Sequence, residues 1–281
     1  MTADLHIHTT ASDGRLSPED ILKHAIEAGL SHIAITDHDT VDGLLDLYNG
    51  LKSGKENRIF LIPGIEFSTD LPDNEVHILG YHIDVHNIEL HEQLGILTVH
   101  RRKRVKQMIY KLEQLGYPLD YSHVLEMAQQ ALSIGRPHIA RALVEKGYVS
   151  TVAEAFLLLL DKNGPAYVPH YKLKPREVVR LIKKAGGIPV LAHPGLVKND
   201  AVILDLIQHH GIMGLEVYHP AHASEEISKY LKMASYHQLF ITGGSDFHGI
   251  PERFPPCLGM FTIPSILAEK LNNKENLKNN T

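Results

Sequence analysis

Cysteine and tryptophan are nearly missing from this chain, which has one cysteine, Cys257, and no tryptophan in 281 residues. A single cysteine excludes an internal disulfide and a cysteine-rich zinc site, and it favours a reducing compartment. We therefore expect a cytoplasmic protein. We expect Cys257 to be a small buried apolar residue rather than a metal ligand or a nucleophile.

Long uncharged apolar runs are also missing, and no basic and apolar signal region precedes the first predicted strand. Membrane insertion and secretion are therefore not expected. The formal net charge of -5 argues against a protein that coats nucleic acid through bulk electrostatics, although a local basic pocket could hold phosphate. Nothing in the composition predicts a stable protein partner.

Histidine, by contrast, is abundant, with 20 residues against 11 tyrosines and 7 phenylalanines. Histidine is the commonest neutral ligand of transition metals, so the positions of these residues matter. His6 and His8 lie in a predicted strand over 3–8, where alternate side chains point to the same face. Such a pair alone could equally be two histidines that only pack in the core or lie on the surface. Whether they bind metal therefore depends on other ligand-type residues that reach the same place.

The order of predicted elements indicates an α/β barrel with an insertion. A helix with the N-cap Ser17, Pro18 in its first turn and a stop at Gly29 lies between predicted strands, which indicates parallel strands with crossover helices. The pattern predicts strands at 3–8, 31–36, 59–66, 76–83, 188–193, 213–218 and 239–243, and helices near 40, at 175–185 and at 199–210. Between 89 and 165 it predicts helices only. We therefore expect a barrel formed by 1–88 and 166–270, a helical insertion or cap over 89–165, and a frayed tail over 271–281.

Ligand-type residues follow four more predicted strands. The segments are TDHD at 36–39, GIE at 64–66, AHP at 192–194 and SDFH at 245–248. In a βα barrel the carboxyl ends of the strands converge on one face, so these side chains are expected to meet. A mixed histidine and carboxylate set suits Mn, Fe or Zn better than Ca or Mg. We expect Asp4, Asp37 and Asp39 to orient the ligating imidazoles.

Four motifs, DLHIHTTASDG, TDHDT, LAHPG and SDFH, occur in order from Asp4 to His248. In these motifs the sequence resembles the polymerase-and-histidinol-phosphatase (PHP) superfamily. The resemblance implies a distorted (β/α)7 barrel with two or three divalent metal ions, with manganese as the expected metal and iron or zinc as alternatives. It implies one site of His6, His8, Glu66 and Asp246, a second that shares Glu66 and adds His77 and His193, and a third of Asp13, His38 and His248.

The segments GIEFS, VHILGY and GRPHIA extend the resemblance to small PHP phosphoesterases with a helical insertion. This subgroup includes a nucleoside 3',5'-bisphosphate phosphatase and a short-RNA 5'-to-3' exonuclease. The resemblance implies hydrolysis of a phosphate ester by a hydroxide that bridges two metals, with Glu66, Asp246 and His193 at the catalytic centre. Histidinol-phosphate phosphatase is the alternative enzyme. A non-catalytic metal-binding module is the alternative of another class, and the complete ligand set argues against it.

The insertion carries the predicted substrate contacts. An apolar stripe of the predicted helix passes through Arg101 and beside Arg104, and a buried guanidinium needs an anion. Arg136 and His138 flank Pro137, where a helix N-terminus would attract phosphate. We predict that these four residues hold a second phosphate of a nucleotide or short oligonucleotide, with a structural salt bridge in the insertion as the alternative. His219 and His222 follow a predicted strand and could also reach the site, with His222 as a further candidate for substrate contact; loop packing is the equal alternative for both.

Overall fold

The computed structural model describes residues 1–50, 59–71, 74–129, 131–250 and 253–272. Its strands are β1 (Thr2–Ile7), β2 (Leu30–Ile35), β3 (Phe60–Leu71), β4 (Asn74–Tyr81), β5 (Ile188–Leu191), β6 (Gly214–Tyr218), β7 (Phe240–Gly243) and β8 (Ile263–Pro264). Its helices are α1 (Pro18–Glu27), α2 (Asp42–Gly50), α3 (Ile88–Gln114), α4 (Tyr121–Met127), α5 (Arg136–Glu145), α6 (Val152–Ala155), α7 (Pro175–Lys184), α8 (Pro194–Val197), α9 (Asp200–His209), α10 (Ser224–Tyr236) and α11 (Ser265–Asn272), with a π-helical turn at Phe156–Leu160.

The strands form one eight-stranded sheet in the order β7-β6-β5-β4-β3-β2-β1-β8. β1, β2 and β3 are parallel, as the βα opening predicts, and β5, β6 and β7 are parallel to one another. β4 instead runs antiparallel to both of its neighbours. It follows β3 after a connection too short for a crossover, and such a connection joins only antiparallel strands. The short β8, which the sequence did not predict, pairs antiparallel with the start of β1.

The sheet is nearly closed into a barrel, which confirms the predicted fold class. Ile7 at the end of β1 forms a parallel bridge with Phe247, which lies just beyond β7. The N–H of His8 donates to the carbonyl of Phe247 at 2.9 Å. Gly244 permits this closure, because a Cβ at that position would lie 2.4 Å from the Cβ of His6. The closing contacts therefore involve the first and last ligand motifs.

Helices cover the outside of the barrel. In α1 the Ser17 hydroxyl accepts a hydrogen bond from the N–H of Asp20 at 3.1 Å, so the predicted cap is present. Ile21 of α1, Ile182 of α7 and Tyr230 of α10 belong to one buried cluster that also contains residues of the strands. Among the described residues, no helix combines the length and the apolar character needed to cross a bilayer.

Helix α3 connects two hydrophobic cores. Its first half places Leu90, Leu94 and Leu97 in the core of the barrel. Its second half places Val105 and Met108 in a separate core, to which α4, α5, α6 and the π-helical turn also contribute. At about 1.5 Å per residue, its 27 residues extend about 40 Å. One continuous helix therefore fixes the insertion to the barrel.

Two details differ from the sequence-based expectations. Cys257 is exposed rather than buried, because it lies in an irregular segment directly after Pro255 and Pro256. β3 continues beyond Glu66 to Leu71, so it is longer than predicted. Of the predicted frayed tail, 271–272 end helix α11, and 273–281 lie outside the described residues.

Candidate metal centre

All nine predicted metal ligands lie in one cluster, with the carboxylate of Glu66 at its centre. Oε2 of Glu66 is 3.2 Å from Nε2 of His6, 3.3 Å from Nε2 of His8 and 3.1 Å from Nδ1 of His38. Oε1 is 3.0 Å from Nδ1 of His77 and 3.0 Å from Nε2 of His193. These residues come from the first five strands or directly follow them, so strand convergence brings them together as expected.

Asp246 and Asp13 extend the cluster on the side of His248. Oδ1 of Asp246 lies 3.2 Å from Nε2 of His8 and 3.6 Å from Nδ1 of His248. Oδ1 of Asp13 lies 3.3 Å from Nε2 of His248 and 3.9 Å from Nδ1 of His8. The loop after β1 and the segment after β7 therefore share one side of the site.

The donor set fits divalent metal ions. Three overlapping groups have ligand atoms within 4.8 Å of one another: His8, Asp13, His38 and His248; His6, His8, Glu66 and Asp246; and His38, Glu66 and His77. Several of these atoms are fully buried and have no hydrogen-bond partner, including Nε2 of His6, Nε2 of His8 and Oε2 of Glu66. Buried polar atoms of a folded protein normally have a partner. Metal ions at these positions would satisfy them.

The grouping differs from the one that the resemblance implies in two of the three sites. His38 contacts Glu66 and lies in the group that contains His77, as well as in the group of Asp13 and His248. The ring of His193 also contacts Glu66, but it belongs to none of the three groups. One group therefore consists of the four residues of the first implied site, whereas His38 takes the place of His193 beside Glu66 and His77, and His8 joins Asp13, His38 and His248.

Charges inside the cluster compensate one another. Burial opposes ionisation of Glu66, but the surrounding imidazoles outweigh it and hold the pKa of Glu66 well below its usual range. Burial would lower the pKa of His8, yet the adjacent carboxylates of Asp246 and Glu66 raise it to about 9. For His38 burial dominates and lowers the pKa to about 3. The neutral His38 can thus donate a lone pair to a metal.

Glu216 in β6 is a site residue that sequence reasoning missed. Its Oε1 accepts a hydrogen bond from Nδ1 of His6 at 2.9 Å, and its Oε2 accepts one from the N–H of His193 at 2.7 Å. A proton held at Nδ1 leaves Nε2 of His6 free to face Glu66 and Asp246. The only signal in the sequence was an acidic residue between apolar neighbours in the strand segment LEVY.

The aspartates at 4, 37 and 39 hold backbone segments rather than imidazoles, which corrects the expectation. Asp4 accepts from the N–H of Ser245 at 2.9 Å and from its hydroxyl. Asp37 accepts from the N–H and the hydroxyl of Thr9, both at 2.7 Å. Asp39 accepts from the N–H of Ser68 at 3.0 Å and binds Arg101. These carboxylates therefore position the loops that carry the ligands.

Three residues of the ligand motifs have left-handed backbone conformations. The φ angles are 52° for Asp39, 25° for His193 and 51° for Asp246. Residues other than glycine rarely adopt positive φ, and such strain concentrates at functional sites. The hydrogen bond from the N–H of His193 to Glu216 is one contact that holds this geometry.

A cavity of about 150 Å³ opens beside the cluster and has two chemically different sides. Asp13, His38 and His77 line it on the side of the barrel. The other lining residues with side-chain nitrogen are Arg101, Arg104, Arg136, Lys162, His170 and Lys172. Three of the nine predicted ligands and three of the four predicted phosphate-binding residues therefore face one space.

The three arginines of the cavity differ in their partners. Arg101 is buried, and its guanidinium forms an ion pair with Asp39 and a hydrogen bond from Nε at 3.1 Å. This pair joins α3 to the barrel, so it is a structural salt bridge, although it is not confined to the insertion. Nε of Arg104 donates to the carbonyl of Val168 at 2.7 Å. Arg136 stacks over Phe156 at 5.5 Å, and neither it nor Arg104 has a carboxylate partner within the described part of the chain.

His138 and His222 make contacts other than those predicted. Nδ1 of His138 accepts from the N–H of Gly135 at 3.0 Å, which caps α5 and keeps the ring buried. Nδ1 of His222 donates to the carbonyl of Val217 at 2.8 Å, and its Nε2 accepts from the N–H of Gly195 at 3.1 Å. Both ring nitrogens of His222 are therefore used by the backbone. This geometry supports loop packing rather than substrate contact.

Three further residues reach the site, and two of them, His170 and Arg253, were not predicted to do so. Nε2 of His219 lies 3.6 Å from Oδ2 of Asp246, so this histidine, for which we had left loop packing open, reaches the metal cluster. Arg253 forms an ion pair with Asp246 and a hydrogen bond to Nδ1 of His248 at 3.1 Å. Burial and the nearby arginines and Lys172 lower the pKa of His170, which therefore stays neutral in the cavity.

With this geometry established, comparison with known proteins identifies the family. The PHP domain model matches residues 4–171, which is more than half of the chain. The chain belongs to the PHP family. The match contains six of the nine predicted ligands, and the PHP motifs LAHPG and SDFH lie beyond it.

Relatives of this PHP protein carry several hydrolase names. It is 34% identical to the 5'-3' exoribonuclease Rnm of Escherichia coli K12, over 87% of this chain and 84% of the relative. It is 31% identical to the phosphoribosyl 1,2-cyclic phosphate 1,2-diphosphodiesterase of Eggerthella lenta, over 91% and 97%. It is 30% identical to the 3',5'-nucleoside bisphosphate phosphatase of Chromobacterium violaceum, over 87% and 86%.

A solved structure supports the same family assignment. The chain superimposes on a putative metal-dependent phosphoesterase of Bifidobacterium adolescentis with a TM-score of 0.85 and 30% identity, over 96% of this chain and 94% of the other. The protein is therefore a metal-dependent PHP phosphoester hydrolase.

Proposed function

We propose that this hydrolase cleaves the phosphate ester of a nucleoside 3',5'-bisphosphate or of the 5' end of a short oligonucleotide. The observation that supports this choice is the cavity with two unlike walls. One wall carries the predicted ligands Asp13, His38 and His77, and the other is mainly cationic, with Glu75 paired to Lys172. A substrate with two phosphates would use both walls at once.

Glu66 is the centre of the proposed reaction site, because five imidazoles contact its two oxygens. We assign Glu66, Asp246 and His193 to the catalytic centre and the nine predicted ligands to the metals. When bound, two or three metal ions would activate water and neutralise charge on the phosphoryl oxygens. Glu216 keeps His6 in the orientation that this requires.

Arg136 and Arg104 are the residues that we propose to hold the phosphate that is not cleaved. Burial and the neighbouring Arg136 lower the pKa of Arg104 to about 10, so an anion between the two guanidiniums would relieve their repulsion. Among the described residues, Arg136 has only one weak acceptor, the carbonyl of Leu160 at 3.5 Å. The N–H groups of its guanidinium are therefore available to bind a phosphate. Arg101 is already paired with Asp39 and would hold α3, which carries Arg104, in place beside the barrel. The segment 89–165 would act as a cap over the metal centre.

For the metal we propose manganese, with iron or zinc as alternatives, because the donor set mixes imidazoles and carboxylates. The cytoplasmic location rests on the single cysteine and stays a prediction. Histidinol phosphate carries only one phosphate, so it would leave the cationic wall without a partner. We therefore rank it below the nucleotides.

A panel of substrates tests the proposal. Enzyme stripped with a chelator and reloaded separately with Mn, Fe or Zn is assayed on an adenosine 3',5'-bisphosphate, a 5'-phosphorylated short RNA, histidinol phosphate and a cyclic phosphodiester of ribose. We expect the highest kcat/KM on one of the first two. A preference for histidinol phosphate or for the cyclic diester would overturn the proposal.

A further inference from the structure

Positive charge is concentrated in two segments of this acidic protein. Residues 93–112 contain six lysines and arginines, residues 162–176 contain four, and neither segment contains an aspartate or glutamate. The whole chain carries a formal net charge of -5. A solvated helix face usually mixes both signs of charge, so this separation indicates a surface for an anion.

The two segments pack directly against each other. Nε of Arg104 donates to the carbonyl of Val168 at 2.7 Å, and Nζ of Lys111 donates to the carbonyl of Tyr167 at 2.6 Å. Tyr167 lines the cavity of the metal centre, whereas the adjacent Val168 and Pro169 line a groove on the other side. The segment 167–169 is therefore a thin wall between the cavity and this outer groove.

The outer groove combines lysines with an exposed tyrosine. The groove has a volume of about 550 Å³. Four of its lining residues belong to α3: Lys103, Lys106, Tyr110 and Lys111. Their spacing places them on one face of the helix. Tyr110 is 63% exposed, which is unusual for so large a ring. Nζ of Lys106 also lies 4.8 Å from the ring centre of Tyr121, so a second aromatic side chain borders the lysines.

We propose that the outer groove binds the second and later nucleotides of a single-stranded oligonucleotide whose 5' end lies in the cavity. This inference rests on the proposed function and deepens it. Lysines track the phosphates of a single strand, and aromatic rings stack on its bases without regard to sequence. A mononucleotide would end at the cavity and would not reach the groove. The groove thus selects substrates by length.

The experiment compares an adenosine 3',5'-bisphosphate with a 5'-phosphorylated hexanucleotide RNA. The variants are Lys103→Glu/Lys106→Glu and Tyr110→Ala, all on exposed positions of α3. We expect kcat/KM on the hexanucleotide to fall about tenfold in each variant. In the lysine pair its dependence on salt should also weaken, because each lost phosphate contact lowers the slope of log affinity against log salt concentration by about 0.7. Activity on the mononucleotide should not change.

The matched control is Lys23→Glu/Lys232→Glu, which makes the same charge change at exposed positions of α1 and α10. A similar loss in the control pair, or an equal loss on both substrates, would overturn the groove proposal. If the wild type hydrolyses neither substrate, the proposed function fails instead. In that case the anisotropy of a labelled hexanucleotide decides: weaker binding only in the groove variants supports the groove, and unchanged binding rejects it.

Discussion

The barrel and the insertion build the two walls of one cavity in different ways. The barrel presents its ligands at strand ends, where the backbone pattern alone brings distant residues together. The insertion presents cations from helices and irregular segments, where each side chain can turn to a nearby partner. Arg101 turns to Asp39, while Arg136 finds no carboxylate among the described residues. The same residue type, on the same cavity, therefore has a carboxylate partner in one case and none among the described residues in the other.

The largest expected effect concerns the barrel wall. Glu66→Ala should abolish activity, with a loss of more than about 100-fold, because it removes the carboxylate that five imidazoles share. Metal content, measured by mass spectrometry of the purified protein, should fall, while circular dichroism should show a folded barrel. Glu92→Ala, which removes an exposed carboxylate of α3 that does not line the cavity, is the control. Full metal content and full activity in Glu66→Ala would refute the shared site.

The second prediction separates a structural arginine from a substrate-binding one. Arg101→Ala should lower the free energy of unfolding by about 3–5 kcal/mol, because it leaves the carboxylate of Asp39 buried without its partner. Urea denaturation measures this change. Arg102→Ala, next to it on the exposed side of α3, should stay within about 0.5 kcal/mol of the wild type. Equal stability of the two variants would show that the pair with Asp39 is not structural.

The third prediction concerns support for the barrel wall. Glu216→Gln should reduce metal affinity by about 10–100-fold, since the hydrogen bond that fixes His6 is weakened while the ligands themselves remain. Competition with a metal-sensitive dye measures the affinity. Glu225→Gln, at an exposed position of α10, should have no effect. An unchanged affinity in Glu216→Gln would mean that the orientation of His6 does not depend on this carboxylate.

The smallest expected effect concerns the insertion wall. Arg136→Ala should lower kcat/KM on doubly phosphorylated substrates by about tenfold or more, the cost of one hydrogen bond to a charged group. Metal content and the slow hydrolysis of a simple monoester should not change. Arg176→Ala, exposed on α7, is the control. If both substrate types lose the same factor, Arg136 is structural like Arg101.

The sequence predicted the barrel wall well because strand periodicity and motif order carry the necessary information. His6 and His8 point together as alternation requires, and Asp246 joins them although it is distant in the chain. Glu216 escaped prediction because a single acidic residue in a strand has no motif around it. The antiparallel direction of β4 follows from its short connection to β3, which the pattern of residues did not emphasise.

The insertion wall was predicted less well because a side chain's partner depends on packing that sequence spacing does not contain. A need for an anion at Arg101 was foreseen, but Asp39 supplies it from within the protein. His138 caps its own helix, and His222 binds two backbone groups. In each case, including His222 outside the insertion, the partner is a polar group of the protein itself.

The sharing of α3 between two cores has a consequence for how this protein tolerates changes of length. Leu97 belongs to the barrel core and Val105 to the second core, with Arg101 and Arg104 between them. One residue inserted in that interval would advance the distal half of the helix by only about 1.5 Å but rotate it by about 100°. Val105, Met108 and Leu112 would then turn away from the second core, and each guanidinium beyond the inserted residue would leave the cavity. Relatives that keep this activity should therefore vary in side chains along this interval yet keep its residue count.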